Sequence, residues 1–145
     1  MCIDLYAEDT INIYDTLAIE PYSGNFDFDS SFIPPTYNNS TGEYYYENGD
    51  RYVGEWVNHK KNGKGEFNYS DGKKYQGDFI NDEITGLGVL TYADGKKYDG
   101  SWLNGKLEGQ GIYTDLTGNK YEGKWENNLF HGDGKYIYSK CLSSL

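Results

Sequence analysis

Aromatic and small residues alternate with polar ones from Gly42 to Tyr138, and the alternation restarts every 23 positions. Tyr52, Tyr75, Tyr98 and Tyr121 mark the restarts. Two residues after each comes a glycine (Gly54, Gly77, Gly100, Gly123), and two further on another ring (Trp56, Phe79, Trp102, Trp125). Side chains two apart on an extended chain share a face, so each run predicts a strand with one aromatic face. Paired glycines follow at Gly63 and Gly65, Gly86 and Gly88, Gly109 and Gly111, and Gly132 and Gly134. They lead into Phe67 and Tyr69, Leu90 and Tyr92, Tyr113, and Tyr136 and Tyr138, which predict a second strand. Asp71-Gly72, Asp94-Gly95 and Thr117-Gly118 have the chemistry of tight turns and close each unit. The stretch inside a unit, Asn58 to Asn62 in the first, predicts a solvated loop.

Gly42, Tyr44, Tyr46 and Asn48-Gly49 repeat the second-strand pattern upstream of Tyr52. The chain therefore reads as a half unit at 42–51, full units at 52–74, 75–97, 98–120 and 121–140, and a tail at 141–145. The predicted fold is all-β: an elongated, single-layer antiparallel meander of repeated β-hairpins, with no extended helix in the repeats. Nine strands at about 4.8 Å spacing make a twisted ribbon of order 40 Å. One unit is too small to bury its own rings, so stability comes from stacking neighbours. Glycine weakens a strand, and its return at a fixed offset predicts that it makes room for a neighbouring ring.

Composition adds one point. Aromatics reach 17%, with 16 Tyr, while apolar residues total only 37%. The apolar surface thus comes from large rings over small residues, which predicts half-buried sheet faces rather than a deep core. The net charge of −10 is unevenly placed. Residues 1–41 hold seven acidic residues and no Lys or Arg, and all 13 basic residues lie in the repeats with the remaining 16 acidic ones. No basic cluster exists to displace counterions, which argues against nucleic acid as a partner.

Cys2 and Cys141 form no CxxC pair and predict free thiols. A secretory signal and a long apolar stretch are both lacking, so the expected location is intracellular and cytoplasmic, with cytoskeletal or membrane attachment as alternatives. The arm at 1–41 mixes its acids with Ile11, Ile13, Leu17, Ile19, Phe26, Phe28 and Phe32. That mixture predicts a partly disordered or edge-capping segment, with the edge at Tyr44 to Tyr46 as its target and Pro34-Pro35 as its boundary.

The units Tyr98-Asp-Gly-Ser-Trp-Leu-Asn-Gly and Tyr121-Glu-Gly-Lys-Trp-Glu-Asn resemble the MORN (membrane occupation and recognition nexus) repeat, whose usual form is close to Y-x-G-x-W-x-x-G…H-G-x-G-x-Y-x-Y-x-D-G. The resemblance covers about two thirds of the chain. It implies a single-layer meander whose aromatic groove binds partner proteins through a helical or extended segment, with self-association or membrane association in some members. Departures are present: His131 alone keeps the family histidine, where Asn62, Thr85 and Glu108 stand in the other units, Phe79 replaces Trp, and Asp115 replaces a Tyr.

The expected function is that of a non-catalytic scaffold or adaptor. Its candidate partner contacts are Tyr52, Trp56, Tyr75, Phe79, Tyr98, Trp102, Tyr121 and Trp125. The competing expectation is a peripheral membrane module that meets anionic phospholipid through Lys73, Lys74, Lys96, Lys97 and Lys120, which recur beside the turns. The same lysines also fit a plainer role, as solvated charges at strand ends that discourage edge association. His59 and His131 occupy different repeat positions and converge with nothing, so no catalytic residue, metal ligand or cofactor is predicted.

Overall fold

The computed structural model describes residues 10–12, by backbone alone, and 40–139. The strands are β1 (Thr10–Asn12), β2 (Ser40–Tyr45), β3 (Arg51–Val57), β4 (Lys60–Asn68), β5 (Lys74–Ile80), β6 (Glu83–Thr91), β7 (Lys97–Leu103), β8 (Lys106–Thr114), β9 (Lys120–Glu126) and β10 (Leu129–Ile137). From β2 to β10 every strand pairs antiparallel with the next, giving one open nine-stranded meander. No helix occurs among the described residues. The half unit begins slightly earlier than its pattern suggests, because Ser40 already pairs with Trp56.

Two kinds of turn run along opposite long edges. On the linker edge, between units, the Tyr69 N–H donates to the Lys73 carbonyl and the Gly72 N–H to the Tyr69 carbonyl, at 2.8 and 3.0 Å, and the same pattern recurs at 92–96 and 115–119. On the hairpin edge, the solvated loop expected at Asn58 to Asn62 is replaced by a two-residue turn. Asn58 and His59 have φ of 51° and 65°. Two successive left-handed residues give a turn whose twist matches that of the strands, and asparagine tolerates that conformation better than most side chains. The extra length is absorbed inside β4 as a bulge between the pairs Trp56↔Lys61 and Gly54↔Gly65. Gly63, at φ 101°, sits in that bulge rather than at a strand start. Acidic side chains hold the bulge: Lys64 N–H donates to Glu55 Oε1 at 2.8 Å, and Leu87 N–H to Asp78 Oδ2 at 2.9 Å in the next unit.

The other glycine of each pair supports the packing. Gly42↔Gly54, Gly54↔Gly65, Gly65↔Gly77 and their successors form a row of facing glycines across the sheet. Over each step of that row lies the leading tyrosine. A Cβ on Gly65 would stand 2.5 Å from the Tyr52 ring and hydroxyl, which real atoms do not permit. The Tyr52 hydroxyl continues over the strand and donates to the Glu55 carbonyl at 3.0 Å, at the bulge. Tyr75 and Tyr98 do the same to the Asp78 and Ser101 carbonyls. The rings are therefore buried more deeply than half-covered sheet faces: Tyr52, Tyr75 and Tyr98 show no exposed surface. A single layer supplies its own core.

Neighbouring units are tied at the hairpin edge. The N–H groups of Asp82, Gly105 and Asn128 donate to the carbonyls of Lys61, Ile84 and Leu107 of the preceding unit, at 2.9, 2.9 and 3.2 Å. At the far end β1 pairs with β10, Thr10 facing Lys135 and Asn12 facing Asp133. The described part of the arm thus lies at the edge opposite Tyr44 to Tyr46. The rest of the arm, the tail at 141–145, Cys2 and Cys141 fall outside the described residues.

Gly65→Ala should destabilise the protein by about 3 kcal/mol through forced displacement of Tyr52. Gly105, at φ 76° with nothing within 4 Å of a built Cβ, occupies the turn position that Asn128 fills in the last unit, so Gly105→Asn should change stability by no more than about 0.5 kcal/mol. Urea unfolding of the two variants measures the contrast.

Candidate protein-binding face

All eight predicted aromatic contacts lie on the glycine-row face, and the sheet brings them into one continuous stack. Edge-to-face contacts link Trp56 to Tyr52 (5.1 Å between centroids), Tyr52 to Phe79 (5.1 Å), Phe79 to Tyr75 (5.3 Å) and Tyr75 to Trp102 (5.4 Å). The series continues from Trp102 to Tyr98, Tyr98 to Trp125 and Trp125 to Tyr121, at 5.2, 5.1 and 5.7 Å. Perpendicular rings place a positive edge on a negative face, worth about 0.5–1.5 kcal/mol per pair beyond area burial. The indoles also bridge units: Trp102 Nε1–H donates to the Gly88 carbonyl at 3.1 Å and Trp125 Nε1–H to the Gly111 carbonyl at 3.2 Å. Phe79 has no such donor, so the second unit forgoes this bond. None of the eight is more than 5% exposed. They form the base of the face.

The surface that faces solvent is built from second-strand tyrosines. Tyr44, Tyr46, Tyr92, Tyr113 and Tyr136 are only partly buried against the core, and Tyr138 is 39% exposed. The sequence pattern displays them, but period two alone does not say which of two same-face rings is covered. A ring in the leading position is covered from both neighbouring units, whereas a second-strand ring lies nearer the linker edge. Asp115 then opens the strip. It stands where other units have Tyr69, Tyr92 and Tyr138, and its carboxylate turns to the chain, accepting from the Thr117 and Asn119 N–H groups at 2.8 and 3.0 Å. The departure from the repeat is thus a turn cap, and it removes a ring between Tyr92 and Tyr138.

One position of the base is unusual. Ile84, Leu107 and Phe130 occupy a site that in the first unit holds Lys61, 4% exposed. Its ammonium lies 5.5 Å from the Tyr46 and Phe67 ring centres and 5.8 Å from that of Tyr52, 3.1 Å from the Tyr46 hydroxyl and 3.5 Å from Asp82 Oδ1. Desolvation lowers its pKa, against the opposing pull of Asp82. The last unit irregularity concerns Tyr121. There the bulge is displaced, Lys124 stays paired with His131, and the Tyr121 hydroxyl finds no partner among the described residues.

The predicted lipid contacts are largely occupied. Lys73 meets Asp71 at 2.9 Å, Lys74 meets Glu66 at 2.9 Å, Lys96 meets Asp94 at 2.8 Å and Lys97 meets Asp99 at 3.8 Å. His131 Nδ1 lies 3.0 Å from Glu126 Oε2, both exposed. Among the described residues no group of three or more His, Cys, Asp or Glu is placed to hold a metal, and no helix is long and apolar enough to cross a membrane.

Burial raises the tyrosine pKa values, Tyr92 to about 12, with Tyr46, Tyr52, Tyr75 and Tyr98 raised further for the same reason. A folded-state pKa above the unfolded value of about 10 gives a contribution that is full below pH 10 and lost as pH rises past it. Lys61, shifted down, has the opposite sign, and its cost is relieved as pH approaches the ordinary lysine range. Unfolding free energy should therefore fall steeply only above about pH 10, with tyrosinate absorbance appearing together with unfolding; denaturant titrations across that range measure it. Asp82→Asn keeps an acceptor for the Lys61 N–H, as Asn128 does for Leu107 at 2.8 Å, but weakens the ammonium pairing. It should cost about 2 kcal/mol, and Lys61→Leu in the same chain should recover most of that loss.

A protein-family model described as MORN repeat matches residues 52–74, 75–97, 98–120 and 121–140, more than half of the chain. No curated protein matches it.

Proposed function

The chain belongs to the MORN repeat family, and from that premise we propose that it is a non-catalytic scaffold that binds a helical or extended segment of another protein on its tyrosine-lined face. The observation that carries this reading is the pairing of a closed base with a more open strip: Tyr92, Tyr113 and Tyr136 stand only partly buried against fully covered rings. Tyrosine suits such a surface because a ring offers contact area at small entropic cost while its hydroxyl keeps a hydrogen bond. The rigid base limits the ordering cost of binding. The eight leading rings then serve the partner indirectly, by holding the strip in place.

Docking on anionic lipid has less support. Four of the five candidate lysines already have a carboxylate within 4 Å, and the chain carries a net charge of −10, so attraction to an anionic surface is largely cancelled.

Tyr98→Ala or Trp102→Ala would each remove a buried ring, at about 3–5 kcal/mol, and so confuses folding with binding. Tyr113→Ser/Tyr136→Ser alters partly exposed positions. Affinity capture from the native cell should lose the principal partner with this variant, its circular dichroism unchanged, and keep it when Lys73, Lys74, Lys96 and Lys97 are all Ala. A folded tyrosine variant that retains every partner sinks the proposal. Salt-sensitive pelleting with anionic vesicles that vanishes in the lysine variant would put the lipid reading in its place.

A further inference from the structure

The linker turn after β8 departs in its charge from the turns after β4 and β6. In the turn after β4, Asp71 and Lys73 pair at 2.9 Å, and the Lys73 ammonium lies 5.9 Å from the centre of the Tyr69 ring. In the turn after β6, which Tyr92 opens, Asp94 and Lys96 pair at 2.8 Å. Each of these turns supplies a cation to its own carboxylate. One period later Asp115 stands where Tyr69 and Tyr92 stand, Thr117 where Asp71 and Asp94 stand, and Asn119 where Lys73 and Lys96 stand. The turn after β8 thus keeps a carboxylate and lacks the lysine. Asp115 Oδ1 accepts from the Thr117 N–H and hydroxyl and the Asn119 N–H, at 2.8, 2.7 and 3.0 Å, and Oδ2 accepts from Asn119 Nδ2–H at 3.0 Å. Burial opposes its ionisation, but these bonds outweigh it and hold the pKa below the ordinary value. Every donor is neutral, so the charge is kept without being cancelled, and among the described residues no cation pairs with it. Oδ2, with one bond, has room for another donor.

Tyrosine rings flank that charge. Tyr113 and Tyr136 are both paired with Tyr121 of the strand between them, which sets them two strand steps apart, about 10 Å. The Tyr121 ring lies down over Gly134, toward the bulge. Burial raises the pKa of Tyr113 and of Tyr136, and Asp115 raises both further, so its charge reaches both hydroxyls; at Tyr113, Asp94 adds to this and Lys96 opposes it. Lys96 is itself held by Asp94. The strip also opens at this end. Phe67, Tyr69 and Leu90 are buried in the first two full units, whereas Tyr113 and Tyr136 are only partly buried and Tyr138 is 39% exposed. Ring faces attract a cation, and a carboxylate pairs with one. A guanidinium group suits both at once, because it is flat enough to stack on a phenol and presents donors to a carboxylate.

We propose that the protein segment taken by the tyrosine face is basic, and that it seats an arginine side chain between Tyr113 and Tyr136 with its guanidinium donating to Asp115 Oδ2. This rests on the scaffold reading above and adds the chemistry of the partner. In the turns after β4 and β6 the chain's own lysine meets the carboxylate, and after β8 the partner's arginine does so. The net charge of −10 favours the approach of such a segment.

The test is an NMR titration of the tyrosine ring signals of the full chain with N-acetyl-arginine amide and, in parallel, with its neutral counterpart N-acetyl-citrulline amide. The expected result is a saturable shift at Tyr113 and Tyr136 with the arginine compound, and binding weaker by about fivefold or more with the citrulline compound. Asn119→Lys restores the cation of the other two turns at a position where the repeat already carries lysine, and it should remove the preference for arginine. Asp115→Asn keeps an acceptor for the turn N–H groups and should remove it too, with the circular dichroism of both variants unchanged. Shifts that do not saturate, that citrulline matches, or that persist undiminished in both variants overturn the proposal. If arginine shows no preference while Tyr113→Ser/Tyr136→Ser still loses the captured partner, the scaffold reading stands and the basic partner falls.

Discussion

The close approach of a tyrosine ring to two facing glycines underlies every other feature of the sheet. With a Cβ at Gly54 or Gly65 the Tyr52 ring would have to stand up from the strand. Lying down instead, it reaches the carbonyl of Glu55 at the bulge and turns its edge toward Trp56 and Phe79. A single sheet normally needs a second layer to bury an aromatic face. Here the bare glycine row creates a trough deep enough for the rings to cover one another, and the sheet becomes its own second layer.

Because the same arrangement recurs every 23 residues, coupling between units is local and repeated. Indole N–H groups bond to glycine carbonyls of the preceding unit, and turn N–H groups at 82, 105 and 128 do the same for the hairpin edge. Such a ribbon gains stability from nearest-neighbour contacts. Departures from the repeat therefore have local consequences. Phe79 removes one bridging indole. Lys61 puts a cation among Tyr46, Tyr52 and Phe67 and ties it to Asp82 of the next unit. Asp115 trades a ring for a turn cap and opens the face beside Tyr113.

These departures separate base from surface. The leading aromatics form a buried framework, and it leaves second-strand tyrosines partly uncovered. On the other side of the ribbon Ile80, Leu87 and Leu103 face solvent.

Much of this was legible in the residues. The period of 23, the shared face of Tyr52, Gly54 and Trp56, and the need for glycine beneath a ring all follow from alternation and from the size of side chains, and they determine an all-β meander of this family. Period two says which residues share a face, but not how deeply each is buried, since burial depends on rings from units 23 residues away. Hence the eight leading aromatics read as a contact surface while the sheet makes them its base, and Tyr92, Tyr113 and Tyr136 emerge only once neighbouring units are in place. The bulge at Gly63 and the tight turn at Asn58-His59 were hidden for a related reason: one stretch of polar residues with glycine suits a loop or a bulged strand equally well, and only pairing to β3 decides between them. The sequence alone determined the strands and the face each residue takes; the tertiary structure decided which rings remain partly exposed, because exposure belongs to the stack and to no single repeat.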